Sequence, residues 1–207
     1  MNTGEVRLVS TGLEDFYQAR TTPEWVEVPA AQFLMIDGQG DPNTSEGYHQ
    51  ALEALYALAY GLKFALKKAG GQDYKVGPLE GLWWAEDMAE FGLERKGDWR
   101  WTMMIAQPAA VTPERLEQLR GELRRKKHLP ALDKVRLEPF CEGHAAQVLH
   151  LGPYSAEGPT VQKLHGFIHA GGCRFDGRVQ KHHEIYLGDP RKSRPDRLKT
   201  VLRQPVR

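Results

Sequence analysis

One pattern occurs twice in this chain, and that repetition limits the fold more than any single motif. In the first half an extended run, Trp25 to Ile36, leads through Gly38-Gln39-Gly40 into a long helical pattern and an extended return reaching Glu80. In the second, Ala145 to Leu151 leads through Gly152-Pro153-Tyr154 into a helix over about 156–170 and a return ending at Glu184. The helix stops match as well, Ala69-Gly70-Gly71 against Ala170-Gly171-Gly172. Such self-similarity predicts two copies of one β-helix-β unit sharing a sheet, with a cleft where pseudo-twofold halves meet.

The clearest helix runs from Ser45 to Ala69, where Tyr48, Leu52, Leu55, Ala59, Leu62 and Leu66 recur in steps of four and three. Asn43 with Glu46 reads as its capping pair, Gly70 as its stop, and Tyr56, Tyr60 and Phe64 as the border of the stripe. Pro29 marks a break in the preceding extended run. Gly38 and Gly40 are turn formers on this reading, because the segment lacks the third glycine and the lysine of a phosphate loop. Tyr74 to Ala85 and Asp98 to Gln107 are extended, joined by an acidic hairpin connection over Glu86 to Gly97. Thr112 caps a linker helix whose basic end, Arg120 to His128, suits the helix dipole without requiring nucleic acid. Val135 to Leu137 opens the second half. The basic tail from Asp189, with Leu198, Val201 and Leu202, reads as a solvated edge strand or turn.

The strand His182-His183-Glu184-Ile185-Tyr186-Leu187 carries the most unusual side chain. Alternation puts His182, Glu184 and Tyr186 on one face and His183, Ile185 and Leu187 on the other, so one face reads as apolar and the other as chemically equipped. A carboxylate in such a strand needs water, a donor or a cationic ligand. The ordinary alternative is an edge strand with Glu184 in solvent. Adjacent histidines point to opposite faces and cannot both join Glu184 around one ion, so we expect no metal. Glu80, in Gly77-Pro78-Leu79-Glu80-Gly81-Leu82-Trp83-Trp84, is the second unusual carboxylate; it shares a face with Leu82 and Trp84 unless Gly81 forms a bulge.

At 207 residues the chain makes one large domain or two small ones. Its 28 basic and 27 acidic side chains nearly balance, which argues against an obligate polyanion partner. Cys141 and Cys173 are the only cysteines, and the first 16 residues hold no unbroken apolar run, so a reducing, cytoplasmic setting is expected. Five Trp and seven Tyr supply flat surface for either a core or a small-molecule cage.

Pro78-Leu79-Glu80-Gly81-Leu82-Trp83-Trp84, His150-Leu151-Gly152-Pro153-Tyr154 and His183-Glu184-Ile185-Tyr186-Leu187 together resemble the stand-alone GyrI-like small-molecule-binding proteins. The likeness extends to Gly40-Asp41-Pro42-Asn43 and to Leu198 through Pro205, nearly the whole chain. It implies an α+β fold of tandem β-helix-β-β repeats in a mainly antiparallel sheet: one GyrI-like domain over 1–207, with repeats at 25–107 and 134–207 and a helical linker at 108–133. It further implies a strand glutamate facing cationic or planar aromatic ligands, as in multidrug-responsive regulators. The segment ahead of the domain shows no helix-turn-helix, so a direct transcriptional role is not expected. A subset of stand-alone members hydrolyses the cyclopropane ring of DNA-alkylating compounds inside an aromatic cage.

The same resemblance makes Glu184 the candidate water-activating base, with a pKa raised by a dry cage. Trp83, Trp84, Trp101, Tyr154 and Tyr186 are candidate ligand contacts and Glu80 a polar wall. For each aromatic, core packing stays open as an alternative. No cofactor, membrane or nucleic-acid partner is expected. The competing functions are sequestration without turnover and interaction with DNA gyrase.

Overall fold

The computed structural model describes residues 6–8, 15–71, 73–88 and 93–207. Parts of the N-terminal run and of the acidic connection after Glu86, and the Phe16 side chain, lie outside the described residues. The chain is α+β. In order it forms β1 (Val6–Leu8), β2 (Glu24–Val28), β3 (Ala31–Gln39), α1 (Glu46–Lys68), β4 (Leu79–Trp84), β5 (Arg100–Gln107), α2 (Pro113–Lys126), β6 (Arg136–Phe140), β7 (Gly143–Leu151), α3 (Gly158–Ala170), β8 (His182–Tyr186) and β9 (Lys199–Pro205). Strand, helix, strand, strand thus occurs twice, as β3-α1-β4-β5 and β7-α3-β8-β9. Among the described residues no helix is long and apolar enough to cross a membrane.

The chain divides into two compact units, and these do not coincide with its two sequence halves. One comprises residues 1–30, 78–84 and 141–207; the other comprises 31–77 and 85–140. The first strand of each half pairs with the opposite half: β2 lies against β7, and β6 against β3, both antiparallel. Pro29 ends β2 and lets the chain leave for β3, because proline cannot continue a hydrogen-bonded ladder.

In the unit built on β3, the order is β5-β3-β6 with α1 and α2 beside it. Ser45, not Asn43, caps α1, its hydroxyl accepting the Tyr48 N–H at 3.3 Å. Asn43 instead folds back on Asp41, its backbone N–H donating to that carboxylate at 2.9 Å. Helix α1 buries Ala51, Ala54, Leu55, Leu58, Ala59, Leu62 and Leu66, while Tyr60 and Phe64 stay exposed. Gly38 is a strand residue rather than a turn former. It pairs with Trp101, whose indole lies across it, so that a Cβ at Gly38 would fall inside the ring. Trp101 is itself buried and meets Tyr48 edge-on at 5.2 Å. Helix α2 is capped by Thr112 as expected, and its Arg120 is buried, donating to the carbonyls of Leu132 and Val135.

In the other unit the strands run β1-β2-β7-β9-β8-β4, antiparallel except for β1 with β2. The basic tail corrects the edge-strand expectation: β9 lies between β7 and β8 and is buried from Thr200 to Gln204. Helix α3 covers one face, with Leu164 and Ile168 packed on Trp25, Ala146, Val148 and Leu202. Both α1 and α3 end in the same two-bond stop. Gly71 N–H reaches Leu66 O and Gly70 N–H reaches Lys67 O; Cys173 and Gly172 repeat this with Ile168 and His169. The left-handed residue is Gly70 in one and Gly172 in the other, at φ 75° and 78°, so the second stop is displaced by one residue from the sequence match.

On the face away from α3, the expected apolar side of β8 instead holds a buried charge network. His183 places Nδ1 2.9 Å from Glu142 and Nε2 3.1 Å from Glu80. Arg203 donates to Glu142 at 3.0 Å and to Gln147 at 3.0 Å. Tyr17 donates its hydroxyl to Glu80 at 3.0 Å, and burial, reinforced by that carboxylate, pushes the phenol pKa up. Burial alone would raise Glu142, but the His183 and Arg203 charges outweigh it and bring it down to about 2. Burial would likewise lower His183, yet its two carboxylate partners lift it to about 9.

This pairing supports the fold fully between pH 4.5, the ordinary value for Glu142, and pH 6.5, the ordinary value for His183; the support fades as pH falls toward about 2 or rises through about 9. Replacing His183 by Ala should cost about 3–5 kcal/mol by leaving two buried carboxylates undercompensated, measurable by urea unfolding. Gly38→Ala should cost about 1–3 kcal/mol through the displaced indole. An unchanged urea midpoint for either variant would refute the corresponding contact.

Candidate functional site

On the α3 side of the same sheet, strand register gathers a different set of side chains. Glu184 pairs with Gly81 on β4 and with Leu202 on β9, while Tyr186 pairs with Leu79 and Thr200. Paired residues share a face, so Glu184, Tyr186, His182, Trp83 and Thr200 all stand on this side. Gly81 carries no side chain opposite Glu184. The carboxylate keeps 18% of its side-chain surface exposed, whereas that of Glu80 keeps 1%.

Its orientation is set by a directed chain of donors. Trp83 Nε1–H donates to the Tyr186 oxygen at 3.0 Å, and the Tyr186 hydroxyl donates to Glu184 Oε2 at 2.7 Å. His182 Nε2 lies 3.3 Å from the other oxygen, Oε1. Tyr154, in the turn before α3, meets the Tyr186 ring edge-on at 5.5 Å and is 38% exposed. This cluster joins a partly exposed carboxylate to two phenols that can meet a flat ligand, while the Trp83 indole behind them is buried, 3% exposed, and acts through its N–H on Tyr186.

Of the sequence candidates, Glu184, Tyr186, Trp83 and Tyr154 are brought together. Glu80 pairs with Ile185 and therefore stands on the opposite face from Glu184, buried within the His183 network. Trp84 shares that opposite face by alternation, and Lys181 Nζ lies 3.6 Å from its ring centroid. Trp101 belongs to the packing of the other unit, over Gly38 and against Tyr48. His182 and His183 are divided between the two faces.

Sequence reasoning overlooked Glu157, which immediately precedes α3. Its backbone N–H donates to Tyr154 O at 3.2 Å, tying it to the turn that packs on Tyr186. The side chain is buried, 7% exposed, beside Thr200, and Oε1 makes no hydrogen bond of ordinary geometry. Burial and then the Glu184 charge push its pKa up to about 8, and the Thr200 hydroxyl opposes this only in part. A helix N-terminus favours an ionised carboxyl by about 0.3–1 kcal/mol, less than a rise of this size represents. Nearby on α3, burial followed by the charges of His182 and His169 lowers His165 to about 4.

A model of the GyrI-like small molecule binding domain matches residues 21–207, and the chain belongs to that family. An uncharacterized conserved protein from Listeria innocua is 40% identical and superposes with a TM-score of 0.88, covering 97% of this chain and 100% of its own. A hydrolase from Listeria innocua is 39% identical, with a TM-score of 0.82 over 97% of this chain and 100% of its own. The C-terminal domain of EcmrR, at 10% identity and a TM-score of 0.55 over 90% of this chain and 97% of its own, shares the fold alone. No curated protein matches the chain in sequence.

The Glu157 carboxyl gives a stability test. Its folded pKa lies above the ordinary 4.5, so the native state retains a proton that the unfolded chain releases, and stability falls as pH rises from 4.5 to about 8. Glu157→Gln removes this loss. The variant's melting temperature should exceed the parent's by a margin that grows across that window and reaches about 4 °C or more above it. A margin independent of pH would contradict a proton-bearing Glu157.

Proposed function

We propose that the Glu184 cluster binds planar, electrophilic small molecules, xenobiotics among them, and hydrolyses those carrying a strained cyclopropane conjugated to a carbonyl. Small-molecule binding is the property of the family. The observation that carries the finer reading is the donor chain ending on Glu184: a partly exposed carboxylate held by Tyr186 and His182 beside Trp83 and Tyr154. The similarity to a Listeria innocua hydrolase supports turnover as well as binding.

Chemically, the aromatic groups fix the plane of the ligand, each stacking contact contributing about 0.5–1.5 kcal/mol beyond burial. Glu184 accepts a proton from the water that attacks the ring carbon. Release of ring strain already favours opening, so the protein's contribution is mainly to hold water and carbon in line. A cationic aromatic ligand would use the same carboxylate as its counter-charge, and sequestration without turnover is then the outcome. Both cysteines are free, which suits a reducing cytoplasm as the place of action.

Glu184→Gln keeps the shape and removes the base. With a cyclopropane-containing cyclohexadienone alkylator as probe, the parent should yield a product heavier by one water, and the variant should turn over about 100-fold more slowly or less, with affinity changed only a few-fold. Equal rates by mass spectrometry would remove Glu184 from the mechanism. Binding by both with turnover by neither would leave a sequestering protein.

A further inference from the structure

A strained ring that opens under attack by water must deliver an electron pair somewhere, and the donors around Glu184, His182 Nε2 included, are turned toward Glu184 itself. The Tyr186 hydroxyl is already committed to Glu184, and the Trp83 N–H to Tyr186. Glu157 differs from both. It is more than nine-tenths buried, and its Oε1 and the hydroxyl of the neighbouring Thr200, which pairs with Tyr186 in the β8–β9 ladder, both lack a hydrogen bond of ordinary geometry. A buried carboxyl with an oxygen short of a partner costs stability, and less when it stays protonated than when it is ionised.

We infer that Glu157 is the second acidic residue of this site and donates a proton to the ligand oxygen that gains negative charge. The assignment rests on the hydrolytic reading of Glu184 and completes it. Water forms a C–O bond to the cyclopropane carbon and passes a proton to Glu184. The breaking C–C bond sends its electron pair through the conjugated system to the carbonyl oxygen, which takes the Glu157 proton and becomes a hydroxyl. One water is added in total, and Glu184 returns its proton to Glu157 through solvent. The substrate class narrows accordingly: the ligand must present a neutral hydrogen-bond-accepting oxygen as well as an electrophilic carbon, which a simple aromatic cation does not.

Among the described residues, the titratable and polar groups around this proton lie on β8, β9, β7, the preceding turn and α3, where His165 interacts with His182 and His169. Glu184, His182 and Tyr186 stand on the same face of β8, Thr200 on β9 and Tyr154 in the preceding turn. From β7, His150 sets Nδ1 2.9 Å from Thr160 Oγ1 and Nε2 3.3 Å from Pro153 O, at the same end of α3. Of these charges, that of Glu184 pushes toward retention of the proton.

The test uses the full chain and the cyclohexadienone alkylator, with Glu157→Gln and Glu157→Ala compared with the parent across pH 6.5–9.5. The parent's kcat should fall as pH rises through about 8. Glu157→Gln, which keeps an N–H donor but cannot give up a proton, should lose about 100-fold or more in kcat, with KM changed less than about threefold and the alkaline limb abolished. Glu157→Ala should lose affinity as well. A Glu157→Gln enzyme with parental kcat and pH profile overturns the assignment while leaving Glu184 intact.

If the parent binds the probe without turning it over, the hydrolytic reading falls and binding decides Glu157 alone. Affinity that weakens above pH 8 in the parent and at all pH values in Glu157→Ala, but is kept in Glu157→Gln, supports a donor contact. Affinity indifferent to pH and to both substitutions overturns it. No binding by a folded parent overturns both readings.

Discussion

A β-strand offers its two faces to different surroundings, and β8 uses both for charge. The side facing away from α3 holds two carboxylates, Glu80 and Glu142, against the imidazolium of His183 and the guanidinium of Arg203. Each of these side chains retains 1% of its surface. Such a set persists only when its charges cancel and its hydrogen bonds are made, since burying ions is costly and leaving one unpaired is costlier. The benefit is positional. His183 cannot shift without breaking two ion pairs, so the next residue, Glu184, leaves the opposite face at a fixed point between Trp83 and Tyr186.

The two faces therefore divide the labour by neutralisation. Where each charge has an opposite partner, Glu142 is brought down to about 2 and His183 lifted to about 9, so both stay ionised at neutral pH. On the other face two glutamates share one neighbourhood with no arginine or lysine among the groups named there. There burial and the Glu184 charge raise the pKa of Glu157, because no opposite charge is named beside it to offset them.

Much of this was legible from local patterns. The alternation along His182 to Tyr186 identified Glu184's face, and the four-and-three spacing placed α1 within a residue of its observed bounds. Pairing between distant strands was not legible, and it decided the rest. Nothing near Glu80 indicates that it will stand opposite Ile185 rather than Glu184, yet that offset of one residue assigns it to the ion network. Arg203 and Gln204 look like surface residues; they are buried because Glu142, Gln147 and the Gln180 carbonyl reach them from elsewhere. Glu157 reads as an ordinary acidic residue before a helix, and only its tertiary surroundings, burial and the Glu184 charge, raise its pKa. Ser45 displaced Asn43 as the cap because Asn43 was already engaged with Asp41.

The exchange of first strands between the halves bears on how such a chain acquires its structure. Each compact unit draws on segments more than a hundred residues apart, so neither is complete until most of the polypeptide has left the ribosome. Loop-closure entropy must be overcome before β2 meets β7 or β6 meets β3, which favours slow, late consolidation over helix-first docking of a separate half. A duplication ancestry would then have left two copies that can no longer be separated, each holding the other's missing edge.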